Sequence, residues 1–467
     1  MSDFQQNEKP VFIVAAARTD SVKYYPENFR GLSDLLADAV VQIPANILQK
    51  VDTVHITHRY PTPLDLDFDR EAFLRQTNLP PGDILRVFRD DRAILGGIDV
   101  IKKVVADLSN GEKSTALIVG GEVFEPSVVS HLERHRPTIT LLEEPIDEKL
   151  TERHQYQLQE RRSLLNKFGG LPSKDREIGL TPLSAHSLVA DAFFRDYSFT
   201  LEEMSELMCC ISTHVEKYAY LNPRSYQHHK RDESGKGMDR INRDKYKRRE
   251  QRDRKWPFTL LDLCSISNGA GALVLSNDPD YFVHKVRVCA CVVNKEHANQ
   301  SLLDRPRICQ FDSNREAWRS IKEILHLDLR RPKPGSKPIF LLELFDIYAF
   351  QIAMTLIEMG MYQSPRDILK DFTKGYFDPA PDINKPGEFR EISSSCGVIL
   401  NPSGGSKDGH PNGGYALVKA VECFFQLTEL STEGSLSLPY QEIDFAFVHA
   451  MSGVGNTVGI LALKKSQ

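Results

Sequence analysis

Asn401-Pro-Ser-Gly-Gly-Ser-Lys-Asp-Gly-His-Pro-Asn-Gly-Gly414 reads as a loop between two regular elements, and the rest of the chain is arranged around it. The apolar run Cys396 to Leu400 before it reads as a strand, and the run Tyr415 to Leu430 after it as an amphipathic helix. The loop holds five glycines, two prolines and one histidine. Glycines permit positive φ and close backbone approach, so such a loop can bring N–H groups against a ligand. His410, between Gly409 and Pro411, is presented by the loop at a pKa suited to general-base work. A loop histidine that merely caps backbone is the plainer alternative.

Outward from this loop the chain repeats itself. Val11 to Ala16 reads as a buried strand, Leu32 to Ile43 as a helix and Val51 to Thr57 as an alternating strand. Leu95 to Leu108 follows as a helix stopped at Asn110-Gly111, and Ala116 to Gly121 as a buried strand. In the second half Val286 to Val293 is a strand, and Asn314 to Leu327 a helix that Ser313 and Glu316 are placed to open as a capping box. Pro338 to Leu344 is the next strand. Gly413-Gly-Tyr-Ala-Leu-Val-Lys-Ala-Val421 then echoes Gly96-Gly-Ile-Asp-Val-Ile-Lys-Lys-Val104, and Phe445 to Ala450 echoes Ala116 to Gly121. Strand–helix alternation predicts an α/β fold with mostly parallel sheets and helices outside. The repetition predicts two similar halves, 1–280 and 281–467, with a charged excursion at about 125–256 inserted in the first. Within the excursion, Ser184 to Tyr197 and Thr200 to Tyr220 read as helices, the second opened by Thr200 and Glu203 and ended at Asn222-Pro223.

The pattern N-P-x-G-G-x-x-x-G-H-P-x-G, with its strand and helix, resembles the histidine loop of the thiolase superfamily, enzymes that make or break C–C bonds in acyl-CoA thioesters. Leu260-Leu-Asp-Leu-Cys-Ser-Ile-Ser-Asn-Gly-Ala-Gly-Ala-Leu-Val-Leu275 resembles the segment by which that family returns to its core, most closely in the sterol-carrier-protein branch. The resemblance covers nearly the whole chain and is weakest over 60–92 and 129–180. It implies a five-layer αβαβα sandwich, with the excursion as the loop domain that covers CoA.

The chemistry departs from that family. The nucleophilic cysteine belongs where this chain has Ile94, counted back from Gly97, and no cysteine precedes Cys209. The charged Arg89-Asp-Asp-Arg92 just upstream reads as a solvated turn. Glu343-Leu-Phe-Asp-Ile-Tyr348 matches the register of the branch's His-Asp-Cys-Phe motif, with Phe345 for its histidine, Ile347 for its cysteine and Tyr348 for its phenylalanine; only Asp346 agrees. His449 falls where many thiolases carry a second acid/base cysteine, ahead of Gly453 and Gly455; a structural histidine bonded to a nearby carbonyl is the other reading. The resemblance thus implies His410, His449, Asp346 and Tyr348 as candidate catalytic residues, and Ser265, Gly405 and Gly453 as binding positions. Gly453 to Gly459 mimics a dinucleotide fingerprint, but too little chain follows it for a βαβ unit.

Composition bounds the rest. The 467 residues, 41% apolar and 26% charged, suit a globular protein with a large core. The formal net charge is -5, yet Arg224 to Lys255 holds 13 Lys and Arg against 6 Asp and Glu, a local excess of 13 − 6 = +7. Arg248, Arg249 and Arg252 lie in it, matched to the phosphates of coenzyme A; a solvated insertion is the alternative. Few aromatics interleave these charges, against nucleic-acid binding. No C-x-x-C pair occurs among the eight cysteines, and Cys289 and Cys291, on one strand face, read as small buried hydrophobes. No apolar run approaches the roughly 18–20 residues of a membrane span. The polar N-terminus resembles no secretory signal, so a cytoplasmic location is expected. The expected partners are an acyl-CoA thioester, with coenzyme A as substrate moiety and no tightly bound cofactor, and a second copy of the chain, with or without a small partner subunit. The expected function is C–C bond formation or cleavage on a CoA thioester without a cysteinyl acyl-enzyme, of aldol, retro-aldol or acyl-transfer type; the rival is an inactive subunit that supports an active partner, and ordinary thiolysis ranks third.

Overall fold

The structure, a computed structural model, describes residues 9–22, 31–59, 68–77, 79, 85–90, 96–111, 114–123, 171–228, 246, 257–264, 267–278, 282–333, 337–377, 397–428 and 443–466. Five strands come from the first part of the chain: β1 (Phe12–Arg18), β2 (Thr53–Arg59), β3 (Leu85–Asp90), β4 (Thr115–Glu122) and β5 (Gly269–Ser276). Five more follow: β6 (Val286–Asn294), β7 (Phe340–Glu343), β8 (Val398–Leu400), β9 (Phe445–Ser452) and β10 (Thr457–Lys465). They form one sheet in the order β3-β2-β4-β5-β1-β6-β10-β9-β7-β8. Read from its far edge, the second set, β8-β7-β9-β10-β6, has the same order as the first, β3-β2-β4-β5-β1. The directions repeat too: β2 is parallel to β3 and β4, as β7 is to β8 and β9, while β5 and β10 are antiparallel to both neighbours. The halves join where β1 meets β6, at Phe12–Arg287 and Ile13–Val286.

Helices α1 (Leu32–Val40) and α2 (Arg70–Thr77) cover the outer face of the first half. Helix α3 (Gly96–Ser109) lies in the middle of the molecule. Helices α4 (Pro182–Asp196) and α5 (Leu201–Leu221) belong to the excursion. On the outer face of the second half lie α6 (Asp312–Leu325), α7 (Phe350–Glu358) and α8 (Pro365–Thr373); α9 (Tyr415–Thr428) returns to the middle. Helices α3 and α9 each touch strands of both halves. Their apolar side chains, among them Ile98, Ile101, Leu417, Ala420 and Phe424, share one core with both sheet halves. The layers therefore run helix, sheet, helix, sheet, helix.

The repeated Gly-Gly entries explain how that middle layer closes. A Cβ on Gly97 would lie 3.2 Å from Leu417 Cγ and one on Gly271 2.9 Å from the backbone nitrogen of Val418, so α9 packs backbone-close on α3 and β5 only because these side chains are absent. Helix α9 itself is buried from Tyr415 to Leu427, all round, rather than amphipathic as its pattern predicted.

Three other expectations are corrected. The sheet is not mostly parallel, because β9 and β10 are joined by a tight hairpin through Gly453 (φ 65°) and Gly455 (φ 70°), and hairpins make antiparallel pairs. Ser313 and Glu316 form no capping box: α6 begins at Asp312, Ser313 Oγ donates to the Asn456 carbonyl at 2.8 Å and Glu316 Oε2 accepts from Asn294 Nδ2 at 2.7 Å. Arg89 and Asp90 end strand β3 and are not part of a turn. The Thr200–Glu203 capping box is present at 3.1 and 2.8 Å. No disulfide joins any two of the seven described cysteines.

Candidate functional site

The candidate site lies beyond the carboxyl ends of β7 and β8, the end of a parallel pair where α/β proteins bind ligands. The chain leaves β8 at Asn401, which adopts φ 44°. Its side chain continues the sheet's pairing: Oδ1 accepts from the Leu344 N–H at 2.7 Å and Nδ2 donates to the Leu344 carbonyl at 2.9 Å. Gly404 (φ 94°) then turns the loop against α5, so close that any Cβ there would strike the backbone of Ala219. Helix α5 holds the loop at two more points. His214 Nε2 lies 2.8 Å from the Leu400 carbonyl, and Asn222 Nδ2 donates to the Ser403 carbonyl at 3.0 Å. One helical turn, Gly405–Asp408, follows before His410.

His410 is buried, and its backbone N–H donates to Ser267 Oγ at 3.0 Å. Its ring packs against Phe345 and Tyr415, with centroids 5.7 and 5.0 Å away. Asp346 is buried as well: Oδ1 accepts from the Ser406 N–H at 2.7 Å, and Oδ2 fills the space that a side chain at Gly405 would need. Burial raises the Asp346 pKa against the opposing pull of Ser406. Tyr348 stacks on His186 of α4 at 4.3 Å and lies 5.1 Å from Phe258; burial raises its hydroxyl pKa. Cys264, whose N–H donates to the Ile347 carbonyl at 2.9 Å, is also near, but burial pushes its thiol up to about 12.

His449 reaches the same residue from the other side. Its Nδ1 accepts the Phe345 N–H at 3.3 Å, which places the ring proton on Nε2, 3.0 Å from Asn314 Oδ1. Asn314 Nδ2 in turn donates to Glu358 Oε2 at 2.6 Å. Both ring nitrogens of His449 are thus engaged by protein, and burial lowers its pKa to about 3. The two histidines flank Phe345, one on its ring and one on its backbone.

Beneath the loop lies a buried ionic network that sequence inspection missed. Arg18, at the end of β1, donates through Nη1 to Asp408 Oδ2 (2.8 Å) and Glu422 Oε1 (2.6 Å), and through Nη2 to Ser21 Oγ (2.8 Å). Lys419 of α9 donates to Asp408 Oδ2 (2.9 Å), Ser403 Oγ (2.8 Å) and the Gly405 carbonyl (2.7 Å). Ser403 donates its N–H and hydroxyl to the two oxygens of Glu343, at 2.9 and 2.8 Å. Burial lifts the Glu343 carboxyl to about 7 despite the attraction of Lys419. Lys407 Nζ donates to the carbonyls of Leu261 and Leu263, tying the loop to the returning segment. A lysine and a glutamate three apart in an otherwise apolar helix were the available signal, since neither belongs in a buried layer unpaired.

Asp346 lies against Gly405, His410 packs on Phe345, Tyr348 packs on His186 and Phe258, and Gly453 lies in the β9–β10 hairpin. Ser265, Arg248, Arg249, Arg252 and Ile94 lie outside the described residues.

This repeated half, with a histidine loop beyond β7 and β8 and two helices between sheet halves, is the thiolase fold. The solved structure described as "Ltp2-ChsH2(DUF35) aldolase" superposes with a TM-score of 0.65 at 14% identity, covering 99% of this chain and 100% of that one. A monomeric SCP2-thiolase like protein type 1 from Mycobacterium smegmatis gives 0.61 at 12% identity, over 98% of this chain and 78% of that one. Human mitochondrial 3-ketoacyl-CoA thiolase gives 0.58 at 14% identity, over 98% and 99%. No protein-family model matches the sequence. No curated protein matches it either. Among the described residues, no helix is long and apolar enough to cross a membrane.

Proposed function

We propose that this chain binds an acyl-CoA thioester and makes or breaks the C2–C3 bond by aldol chemistry, without a cysteinyl acyl-enzyme. The observation that carries this reading is the anchoring of His410. Its loop is fixed by Asn401, by α5 and by the Arg18–Asp408–Lys419 network, so the ring is held in one place beyond the strand ends. Nothing of that kind is needed for a histidine that only caps backbone. In the cleavage direction His410 takes the proton of a 3-hydroxyl. The C2–C3 bond breaks as the C3 carbonyl forms, and its electron pair passes to C2 as a thioester enolate, which is then protonated at C2. No oxidant and no acyl-enzyme enters. The similarity in fold to an aldolase supports this chemistry, and the high thiol pKa of Cys264 argues against its serving as nucleophile. His449, with both nitrogens engaged, is a positioning residue that orients Phe345.

The second reading, an inactive subunit that supports an active partner, is favoured by one observation: the position that carries a histidine in the resembled motif is here the apolar Phe345. Turnover of 3-hydroxyacyl-CoA thioesters, read as release of the carbonyl product, separates the two. His410→Ala should lower the rate by about 10²–10⁴ in an enzyme. It should leave a partner's activity unchanged in a supporting subunit. Reversing the charges of Arg248, Arg249 and Arg252 tests the coenzyme site: coenzyme A should bind more weakly and pantetheine as before, and equal losses would exclude a phosphate-binding role.

A further inference from the structure

The turn after β6 and the start of α6 bring together an imidazole and two carboxylates that the proposed reaction does not use. They belong to Glu296, His297 and Glu316, and one ligand atom of each lies within 4.8 Å of the other two. The chain around them is fixed. The His297 carbonyl accepts from Asn456 Nδ2 at 3.1 Å and from the Gln300 N–H at 3.0 Å, which ties the turn to the β9–β10 hairpin. Asn294, the last residue of β6, holds both acids. Its Oδ1 accepts the Glu296 N–H at 3.0 Å, and its Nδ2 donates to Glu316 Oε2 at 2.7 Å. Lys295, the neighbouring cation, pairs with Asp99 of α3, and neither glutamate pairs with a lysine or arginine among the described residues.

An ordinary hydrogen bond does not account for the histidine. His297 Nε2 lies 3.5 Å from Glu316 Oε2, beyond the usual N–H···O range of about 2.7–3.2 Å. The ring is partly exposed, but this nitrogen is itself buried and has no hydrogen-bond partner among the described residues. Folded proteins rarely leave such an atom unless a water or a ligand completes it. The spacing fits a metal ion. Bonds of about 2.1 Å from zinc to nitrogen and oxygen, set at the tetrahedral angle, hold two ligand atoms about 3.4 Å apart. Glu296 is exposed, so its carboxylate has room to close the remaining distance.

We propose that Glu296, His297 and Glu316 bind one divalent first-row transition-metal ion such as zinc, through His297 Nε2 and one oxygen of each glutamate, with water as the fourth ligand. Imidazole suits zinc and its neighbours, whereas calcium and magnesium favour sites built of oxygen alone. The ion clips the end of β6 to α6, the helix whose Asn314 accepts the His449 ring proton, so its role is architectural. The inference does not depend on the reaction proposed above.

Titration calorimetry of the untagged full chain with zinc tests it, together with thermal unfolding. One equivalent should bind, and zinc at about 100 times its Kd should raise the Tm by about 3 °C. Asn294→Ala, which frees both acids, should weaken that equivalent by about 10–100-fold. His297→Ala and Glu316→Gln remove a ligand and should each weaken it by at least as much; Glu316→Gln, nearly unchanged in shape, serves where His297→Ala does not fold. Calcium should bind at least about tenfold more weakly than zinc. No heat from the wild-type chain up to about 1 mM zinc, or an equivalent that survives in both ligand variants, would overturn the site. Calcium binding as tightly as zinc, and indifferent to His297→Ala, would show an acidic patch only and would overturn it too.

Discussion

At the scale of the residue, the site depends on charges buried where water cannot help them. Arg18, Asp408 and Lys419 are fully buried as side chains, and burial opposes the Arg18 charge, yet Asp408 and Glu422 hold its pKa above the ordinary range. Removing Arg18 takes from Glu422 the cation it pairs with and leaves Asp408 to Lys419 alone, in a low dielectric. Arg18→Met should therefore destabilise the fold by about 3–5 kcal/mol, read as the shift of a urea transition. A loss near zero would mean that the network is dispensable. Glu343 has the opposite character. Its folded pKa of about 7 exceeds the unfolded value of 4.5, so the folded state holds the extra proton between those values. Its contribution is complete below pH 4.5 and is lost as pH rises through 7. Glu343→Gln should abolish that loss, raising stability at pH 8 by on the order of 2–3 kcal/mol with little change at pH 4. Stability curves of the two proteins that run parallel from pH 4 to 8 would refute it. His449 titrates in the reverse sense: its contribution is lost as pH falls from 6.5 toward 3. Little of this was legible in sequence. His410 announced itself through its glycines and prolines, but Arg18 lies 390 positions from Asp408, and only folding reveals the pair.

At the scale of the element, the middle helices decide how the halves close. Their Gly-Gly entries and apolar runs were readable, because a helix that must approach backbone has no room for side chains at its contact points. What the pattern did not show is that α9 is covered on every side. Lys419, Glu422 and Gln426 interrupt its apolar run as a solvent face would, yet all are buried. Strands β3, β5 and β10 were not predicted as strands from alternation, since β5 and all but the end of β10 are buried on both faces and lack a polar period. Gly271 tests the close approach. A Cβ there would meet the α9 backbone at 2.9–3.0 Å, which cannot yield as a flexible side chain can. Gly271→Ala should cost about 1–3 kcal/mol or more by thermal unfolding, whereas Gly31→Ala, with nothing near it, should cost far less. Equal effects would remove the packing explanation.

At the scale of the whole molecule, the two halves are joined at β1 and β6, and β3 and β8 are the outermost strands of the sheet among the described residues. They are unequal. Strand β8 has three residues, while β3 has six, which among the described residues pair with β2 alone. A long unpaired edge is a template for a second strand, and a two-fold contact between identical edges is a closed way of satisfying it. The fold alone does not settle the matter, because one similar structure is described as monomeric. The shorter β8 edge lies next to the histidine loop, so a partner there would crowd the candidate site; β3 is at the opposite end of the sheet. We therefore expect a dimer formed through β3, with sedimentation at micromolar concentration giving about twice the chain mass of 52.9 kDa. Val87→Lys sets a charge in the middle of that edge and should shift the protein to monomer while leaving the far-UV circular dichroism unchanged. A wild-type protein that sediments as a monomer, or a dimer that survives the charge, would place the contact elsewhere or nowhere.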